Sequence, residues 1–215
     1  MSNILKATKL DFSLVRPYAK VIGFTMLLPI AFAAINRSIL TGVSFAMCFI
    51  AMTTGYTFSV TEKNSMDRLY GILPIKKSEM VTGRYLFVLA LGALALVVSL
   101  ITQPIVLRAM GENVGTLDMI SAAIGGLFLF ALYTVFQIPG YYKYGAIKGR
   151  VFMYIPVAGF LATLFFLPKM PADNPFVITV VSSPVLLIGL VLVLVVVMYV
   201  VSIWFSIRIM ENKEM

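Results

Sequence analysis

The sequence contains no histidine and a single cysteine, Cys48, and only 12% of its 215 residues are charged. Without histidine, the chain cannot form an HExxH zinc site, a Ser-His-Asp triad or a histidine-ligated haem site. A single cysteine cannot form an intramolecular disulfide or a cysteine-based metal cluster. These absences exclude many classes of enzyme.

Long apolar runs dominate what remains. Hydrophobic residues make up 60% of the chain, and the mean hydropathy is +0.99. Runs such as 86–98 and 186–201 would form helices that are apolar all round. Because water cannot solvate that much apolar surface, the sequence predicts an integral membrane protein of the all-α class.

Six segments are long and apolar enough to form transmembrane helices. At about 1.5 Å per residue, roughly 20 residues cross a hydrocarbon core of about 30 Å. The final apolar run, 176–207, would be roughly 48 Å long as one helix, so we expect Pro184 to separate a half-helix at 176–183 from the last span. The predicted spans are 18–35, 39–60, 85–107, 119–138, 151–167 and a last one ending near 207.

The basic residues predict how the chain is oriented. With the N-terminus inside, fourteen Lys and Arg residues fall on the cytoplasmic side, and only Arg37, Arg108 and Lys169 fall on the other. Such an asymmetry in short loops is the positive-inside pattern. We therefore expect a multi-pass protein with both termini in the cytoplasm, and we attribute the net charge of +8 to orientation and not to nucleic-acid binding.

The first seventeen residues differ from the spans because apolar and charged side chains alternate. This pattern favours an amphipathic helix in the membrane interface with its lysines toward the headgroups, and a frayed basic tail is the alternative. The sequence thus divides into an interfacial helix (1–17), a six-span domain (18–207) and a cytoplasmic tail (208–215). The side chains that alternate are Ile4, Leu5, Lys6, Lys9, Leu10, Asp11, Phe12, Leu14 and Arg16.

The segment 61–84, between the second and third spans, is the longest cytoplasmic connection. It combines charged residues with apolar ones, and apolar side chains on a water-facing loop usually cover a partner. Residues 64–70 can form a short helix, Pro74 imposes an extended step, and Ser78 is the expected cap of the next helix. The sequence therefore predicts a short amphipathic helix that contacts another protein.

The order of residues in this segment resembles a known family. An acidic residue ends the second span, a charged and apolar step follows, and a Leu-Pro-Ile-basic step leads into the third span. This order is similar to that of the short permease subunits of type-2 ABC exporters, and the length, the six spans and the N-terminal helix agree over essentially the whole chain. The residues that carry the resemblance are Glu62, Asp67-Arg68-Leu69, Leu73-Pro74-Ile75-Lys76-Lys77 and Met80-Val81-Thr82-Gly83-Arg84-Tyr85.

The resemblance implies a permease of the bacterial cytoplasmic membrane that pairs with a second copy or a paralogue and with two copies of a separate ATPase subunit. No Walker A sequence occurs, so ATP and Mg²⁺ would belong to that subunit and this chain would bind no cofactor. Exporters of phenol-soluble modulins and bacteriocin-type peptides are among the similar permeases. The coupling helix would then contain the ATPase contacts, namely Glu62, Lys63, Met66, Asp67, Arg68, Leu69, Tyr70, Leu73, Pro74, Ile75, Lys76 and Lys77.

The spans themselves carry almost no ionisable residue, which disfavours a proton- or ion-coupled carrier. A hydrophobic or amphipathic cargo suits such a path. Thr53, Thr54, Gln103 and Gln137 are the candidate polar residues along it, because a glutamine is costly to expose to lipid. Hydrogen bonding between helices is the alternative role for these four residues.

Two other interpretations of the sequence stay open. The stretch 141–150, rich in tyrosine and basic residues, is expected to be a loop that forms an aromatic belt or a second contact with the ATPase subunit. For the whole chain, a non-transporting membrane scaffold or sensor and a membrane-embedded enzyme are the alternatives to a permease.

Overall fold

The structure is a computed structural model, and it describes residues 3–64, 66, 75–159 and 184–212. Within these ranges every regular element is a helix. Two short 3₁₀ segments, Arg16–Tyr18 and Gly149–Met153, interrupt the chain, and the second leads into helical residues 154–159. The longer helices are α1 (Asn3–Val15), α2 (Ala19–Thr25), α3 (Leu27–Asn36), α4 (Ile39–Lys63), α5 (Lys77–Ala109), α6 (Thr116–Lys148) and α7 (Pro184–Glu211).

Five stretches of the described chain are long and apolar enough to cross a membrane. This confirms an all-helical membrane protein. The predicted fifth span, 151–167, is described only as far as residue 159, and the half-helix expected at 176–183 lies outside the described residues, so the count of six spans stays a prediction. The five stretches are Asn3–Asn36, Ile39–Lys63, Lys77–Ala109, Thr116–Gly159 and Ile188–Glu211.

Helix α4 lies at the centre of the bundle, and more than half of its most apolar window is buried. Its main neighbour is α6, which approaches closely because glycine faces α4 at the contact. A Cβ atom on Gly126 would lie 2.8 Å from Val43 Cγ1 and 3.0 Å from Met47 Cγ. Small residues at such crossings allow membrane helices to pack backbone to backbone.

The first predicted span is broken near its middle by a proline. Pro29 has no backbone N–H to donate to the carbonyl of Thr25, four residues earlier. Helix α2 ends at Thr25, and α3 begins at Leu27 after one intervening residue, Met26. Pro29 therefore interrupts the helix of this span.

Helix α1 packs along the beginning of α5. The Thr8 hydroxyl donates to the carbonyl of Gly83 (3.1 Å), and a Cβ on Gly83 would lie only 2.7 Å from Ala7 Cβ. The Asn3 amide donates to the Glu79 carboxylate (3.2 Å). The N-terminal segment thus forms a helix with one face buried against α5, and its placement in a membrane interface stays a prediction.

The start of α5 differs from the sequence expectation. Lys76 occupies the N-cap position, and its backbone N–H donates to the Glu79 carboxylate (3.1 Å). Ser78, the expected cap, is the second residue of the helix. At 33 residues, about 50 Å, α5 exceeds the hydrocarbon thickness, so its polar first turns extend beyond the apolar part of the bundle.

Candidate functional site

A cavity of about 580 Å³ lies where the ends of α1, α4, α5, α6 and α7 meet. Two residues of the predicted coupling interface, Glu62 and Ile75, are in its wall. Apart from Asp11 and Thr61, the rest of the wall is aromatic, basic and apolar. The lining residues are Lys6, Ala7, Leu10, Asp11, Phe58, Thr61, Glu62, Ile75, Met80, Arg84, Tyr141, Tyr142, Lys143, Tyr144, Gly145, Ala146 and Met210.

Arg84, on α5, makes the main polar contacts of this cavity. Its Nε and one terminal nitrogen donate to the two carboxylate oxygens of Asp11 on α1, at 3.2 and 3.0 Å. The same terminal nitrogen donates to the Thr61 hydroxyl on α4 (3.3 Å). The planar guanidinium suits this two-pronged contact with a carboxylate.

Aromatic rings enclose the same guanidinium. Its central carbon lies 4.6 Å from the centroid of the Phe58 ring and 5.8 Å from that of the Tyr142 ring. The Arg84 and Asp11 side chains are only 7% and 4% exposed. Removing one member of such a buried pair leaves an uncompensated charge, which costs about 3–5 kcal/mol. The pair therefore joins α1, α4, α5 and α6 at one end of the bundle.

Glu62, the next residue after Thr61, makes the second connection. One of its carboxylate oxygens accepts the backbone N–H of Ala146 at 2.6 Å. Ala146 follows a break in α6 at Gly145, where φ is 78° and ψ is 178°. A carboxylate at the start of a helical segment satisfies a free N–H group and interacts favourably with the helix dipole. Glu62 thus caps the last turn of α6.

Only glycine readily adopts the backbone conformation of Gly145. A Cβ atom at that position would also lie 3.2 Å from the nearer Glu62 carboxylate oxygen. Except at this break, the stretch 141–150 is helical through Lys148. The expectation that this stretch is a loop was wrong.

The remaining predicted coupling residues divide into two groups. Lys63 and Lys76 are exposed, while Met66, Ile75 and Lys77 are half-buried, and the Lys77 ammonium donates to the backbone carbonyl of Glu211 at the end of α7 (3.4 Å). The others lie outside the described residues: Asp67, Arg68, Leu69, Tyr70, Leu73 and Pro74. Their role at an ATPase contact stays a prediction.

A chain of hydrogen-bonded, buried hydroxyl groups includes Tyr85, the residue after Arg84. A proline determines the direction in which these hydroxyl groups donate. Pro139 in α6 cannot donate to the carbonyl of Val135, and the Ser202 hydroxyl from α7 donates to that oxygen instead (2.8 Å). Because Ser202 has one proton, the Tyr85 hydroxyl must donate to Ser202 (2.6 Å), and Ser206 then donates to Tyr85 (2.8 Å). This chain holds α7 to α5 and α6.

A second tyrosine joins the same helices. The Thr134 hydroxyl on α6 donates to the carbonyl of Phe130 (2.8 Å), so the Tyr199 hydroxyl on α7 donates to Thr134 (2.7 Å). Both hydroxyl groups belong to buried residues. A buried polar group is stabilised only when it is hydrogen-bonded, so these pairs set how α7 packs on α6.

The four predicted path residues are all buried, but they do not form one cluster. Thr54 Oγ1 lies 3.2 Å from Gln137 Oε1, whereas the Thr53 hydroxyl donates to the carbonyl of Ile50 (2.7 Å). Gln103 instead faces the start of α4, where a Cβ on Gly42 would lie 2.5 Å from Gln103 Oε1.

Two depths in the bundle are therefore polar. Gly42 and Thr54 are twelve residues apart on α4, which is about 18 Å along the helix. Both amide atoms of Gln103 and the amide nitrogen of Gln137 are without a hydrogen-bond partner in the part of the chain that the structure describes.

Sequence reasoning did not predict the Asp11–Arg84 pair or the tyrosine–serine contacts. One signal was present, since Asp11 is an isolated acidic residue in a basic N-terminal segment and Arg84 stands at the beginning of an apolar run. The serines of α7 gave no such signal. Their role depends on Tyr85 and on the carbonyl of Val135, which Pro139 leaves without a backbone donor, and both lie far from Ser202 and Ser206 in the sequence.

Comparison with known proteins supports one family. The family model described as ABC-2 family transporter protein matches residues 8–211, nearly the whole chain. No curated protein and no solved structure matches the chain. Permeases of this family work with ATPase subunits and typically lack an ATPase domain. With its five long apolar helices, the chain belongs to the ABC-2 transporter family, as a multi-pass membrane component of an ABC transporter.

Proposed function

We propose that this chain is the permease subunit of an ATP-driven exporter and that the segment 61–84 couples it to a separate ATPase subunit. One observation carries the proposal. The segment begins and ends in contacts that reach other helices, with Glu62 capping α6 at Ala146 and Arg84 paired with Asp11 of α1. A displacement of the segment would therefore be transmitted to α1, α4, α5 and α6 together.

Close packing supports this mode of transmission. Densely packed interiors deform little, so they pass a local movement on as a rigid shift. The cavity beside Glu62 and Ile75 gives the partner a concave surface with exposed Lys6 and Lys143 at its edge. In our proposal the short helix predicted within 64–70 is the part that contacts the ATPase subunit.

The orientation and assembly follow from the same proposal. The cavity end of the bundle faces the cytoplasm, with both termini on that side, and Arg37 faces the other side of a bacterial plasma membrane. Two permease copies, identical or paralogous, pair above two ATPase subunits, which bind ATP and Mg²⁺. The exposed Lys63 and Lys76 at the cavity end support this orientation.

The cargo we propose is hydrophobic or amphipathic, with amphipathic peptides as the leading class. Among the described residues, the buried charged side chains are those of Asp11 and Arg84, and both lie at the cavity end and are paired. Farther along the helices, the candidate path offers the uncharged side chains of Thr54, Gln103 and Gln137. Such a path suits a cargo without a strongly charged surface.

Copurification tests the proposal. The tagged chain, extracted gently from its native membrane, should retain a subunit with a Walker A sequence and stimulate its ATPase activity after reconstitution. The triple variant Glu62→Ala, Asp67→Ala and Arg68→Ala should lose both properties while still inserting into the membrane.

Glu112 offers a matched control, because it is an acidic residue at the opposite end of the bundle, where it pairs with Arg37 (3.2 Å). Glu112→Gln should retain the partner and the stimulation, whereas Glu62→Gln should weaken the stimulation. A triple variant that stimulates the ATPase subunit as well as the wild-type chain does would exclude the segment as the coupling element.

A further inference from the structure

An apolar groove of about 250 Å³ runs between the first part of the chain and α5. On one side it is bounded by α2, which has no buried residue, and on the other by a stripe of α5 side chains. Gly23 of α2 faces open space, since a Cβ added there would meet no atom within 4 Å. The groove therefore faces outward, toward the lipid that surrounds a membrane helix.

The length of the groove matches one leaflet of a bilayer. The α5 side chains that line it extend from Phe87 through Leu91 and Leu94 to Val98. The eleven residue steps from Phe87 to Val98 rise about 16 Å along the helix, and half of a hydrocarbon core is about 15 Å. A single acyl chain that lies along α5 would fill this length.

One end of the groove is basic. Arg16 belongs to its lining, one helical turn after Phe12, whose ring packs edge-on against Phe87 at 5.9 Å. The Arg16 side chain is exposed and makes no hydrogen bond or ion pair with the residues that the structure describes. Another basic residue, Lys20, follows four residues later. The groove thus combines an apolar floor with an exposed cation, whose long side chain can extend toward lipid headgroups.

A second copy of the chain offers Arg16 few uncommitted carboxylates among the described residues. Five described acidic side chains already accept hydrogen bonds within the chain, and the sixth, Glu211, ends α7. A lipid phosphate can supply the negative charge instead. The five engaged residues are Asp11, Glu62, Glu79, Glu112 and Asp118.

We propose that the groove between α2 and α5 binds one acyl chain of an anionic phospholipid, with the lipid phosphate at Arg16. The assignment of this lipid to the cytoplasmic leaflet rests on the orientation given in the proposed function. The binding itself does not require the ATPase subunit. A bound lipid would fill the space beside α2 and hold the first span against α5.

Native mass spectrometry of the purified full-length chain tests this proposal. The protein is stripped of lipid by detergent exchange and incubated with equimolar phosphatidylglycerol and phosphatidylcholine that carry the same acyl chains. We expect one tightly retained lipid per chain and an approximately fivefold preference for phosphatidylglycerol over phosphatidylcholine. Both lipids carry a phosphate, but the cationic choline group makes phosphatidylcholine net neutral, so one protein cation favours the anionic lipid. Arg16→Gln should reduce that preference to nearly one.

Two matched pairs of variants locate the site. Gly23→Phe fills the groove from α2 and should abolish retention of either lipid, whereas Gly189→Phe adds the same ring to an open, exposed position on α7 and should leave retention unchanged. If Gly23→Phe fails to fold, Leu94→Trp fills the groove from α5. Its control is Val97→Trp, an exposed position on the same helix outside the groove.

Three results would overturn the inference. The first is equal retention of the two lipids by the wild-type chain, and the second is the same lipid retention by a groove variant and its control. The third is a stable dimer that retains no phosphatidylglycerol and dissociates in Gly23→Phe, which would assign the groove to a second copy. Because ATPase stimulation is measured separately, a failure here would not count against the coupling segment.

Discussion

Two arginine–carboxylate pairs lie at opposite ends of the helix bundle and have nearly the same shortest N–O distance but different surroundings. The Arg84–Asp11 contact is 3.0 Å long with side chains 7% and 4% exposed, and the Arg37–Glu112 contact is 3.2 Å long with side chains 68% and 35% exposed. Water and ions screen the second pair and hardly reach the first. A distance alone therefore says little about how strongly a pair holds two helices together.

The two ends differ in connectivity as well. At the Arg84 end, the ion pair, the Glu62 cap and the Tyr85 hydroxyl chain join α1, α4, α5, α6 and α7. At the Arg37 end, the pair connects two turns whose backbones are already closed by local hydrogen bonds. In the proposed coupling, movement would be transmitted at the first end, and we expect substitution to be tolerated at the second.

The largest effect is expected from Arg84→Met. This change leaves Asp11 buried without its partner, so stability should fall by about 3–5 kcal/mol. Thermal aggregation of the purified protein in detergent, followed by size-exclusion chromatography, measures the loss. The double variant with Asp11→Leu should recover most of the loss, since it removes both charges. An unchanged melting temperature in Arg84→Met would show that the Asp11 charge finds another partner.

A smaller effect is expected from Ser202→Ala, which removes the donor to the carbonyl of Val135 and should cost about 1–3 kcal/mol. Pro139→Ala restores an N–H to that carbonyl, so the double variant should be less destabilised than the sum of the two single changes. The same thermal assay measures the coupling free energy in a double-mutant cycle. Strict additivity would contradict the assigned direction of the hydroxyl chain.

Glu62→Gln should change stability by only about 0.5–1 kcal/mol, because the amide oxygen can still accept from Ala146 and only the interaction with the helix dipole is lost. Hydrogen exchange at the Ala146 amide reports directly on this cap and should accelerate modestly. Glu62→Ala should accelerate it much more. Equal exchange in the two variants would mean that the carboxylate does not cap this turn.

The smallest effect is expected at the exposed pair. Arg37→Gln should alter stability by no more than about 0.5 kcal/mol, in line with exposed ion pairs generally. The thermal assay used for Arg84→Met provides the direct comparison. A loss at Arg37 as large as that at Arg84 would remove the distinction between the two ends.

Much of the helical layout could be predicted from the sequence, because hydropathy is a local property. The runs 39–60 and 85–107 fall inside α4 and α5, and Pro29 accounts for the interruption of the first span. The break at Gly145 was missed, since aromatic and basic residues around a glycine look like an interfacial loop.

The candidate site was harder to predict, because its contacts are not local. Asp11 and Arg84 are 73 residues apart, and Glu62 and Ala146 are 84 apart. The sequence indicated Glu62 through its position at the end of a span, but nothing local marks Ala146 as the N–H it satisfies. Gln103 and Gln137 were predicted to be buried, and both are buried. That they face α4 at two different depths, near Gly42 and Thr54, became clear only from helix packing.

The hydroxyl chain from Ser206 through Tyr85 to Ser202 has a consequence for how the protein can change shape. Each proton in the chain has one acceptor, so sliding α7 along α5 by one turn would break every link at once. Helices α5, α6 and α7 should therefore travel as a single rigid body. The hinge of a transport cycle would then fall at the one-residue joint between α2 and α3, where the first span can swing while the rest of the bundle keeps its internal contacts.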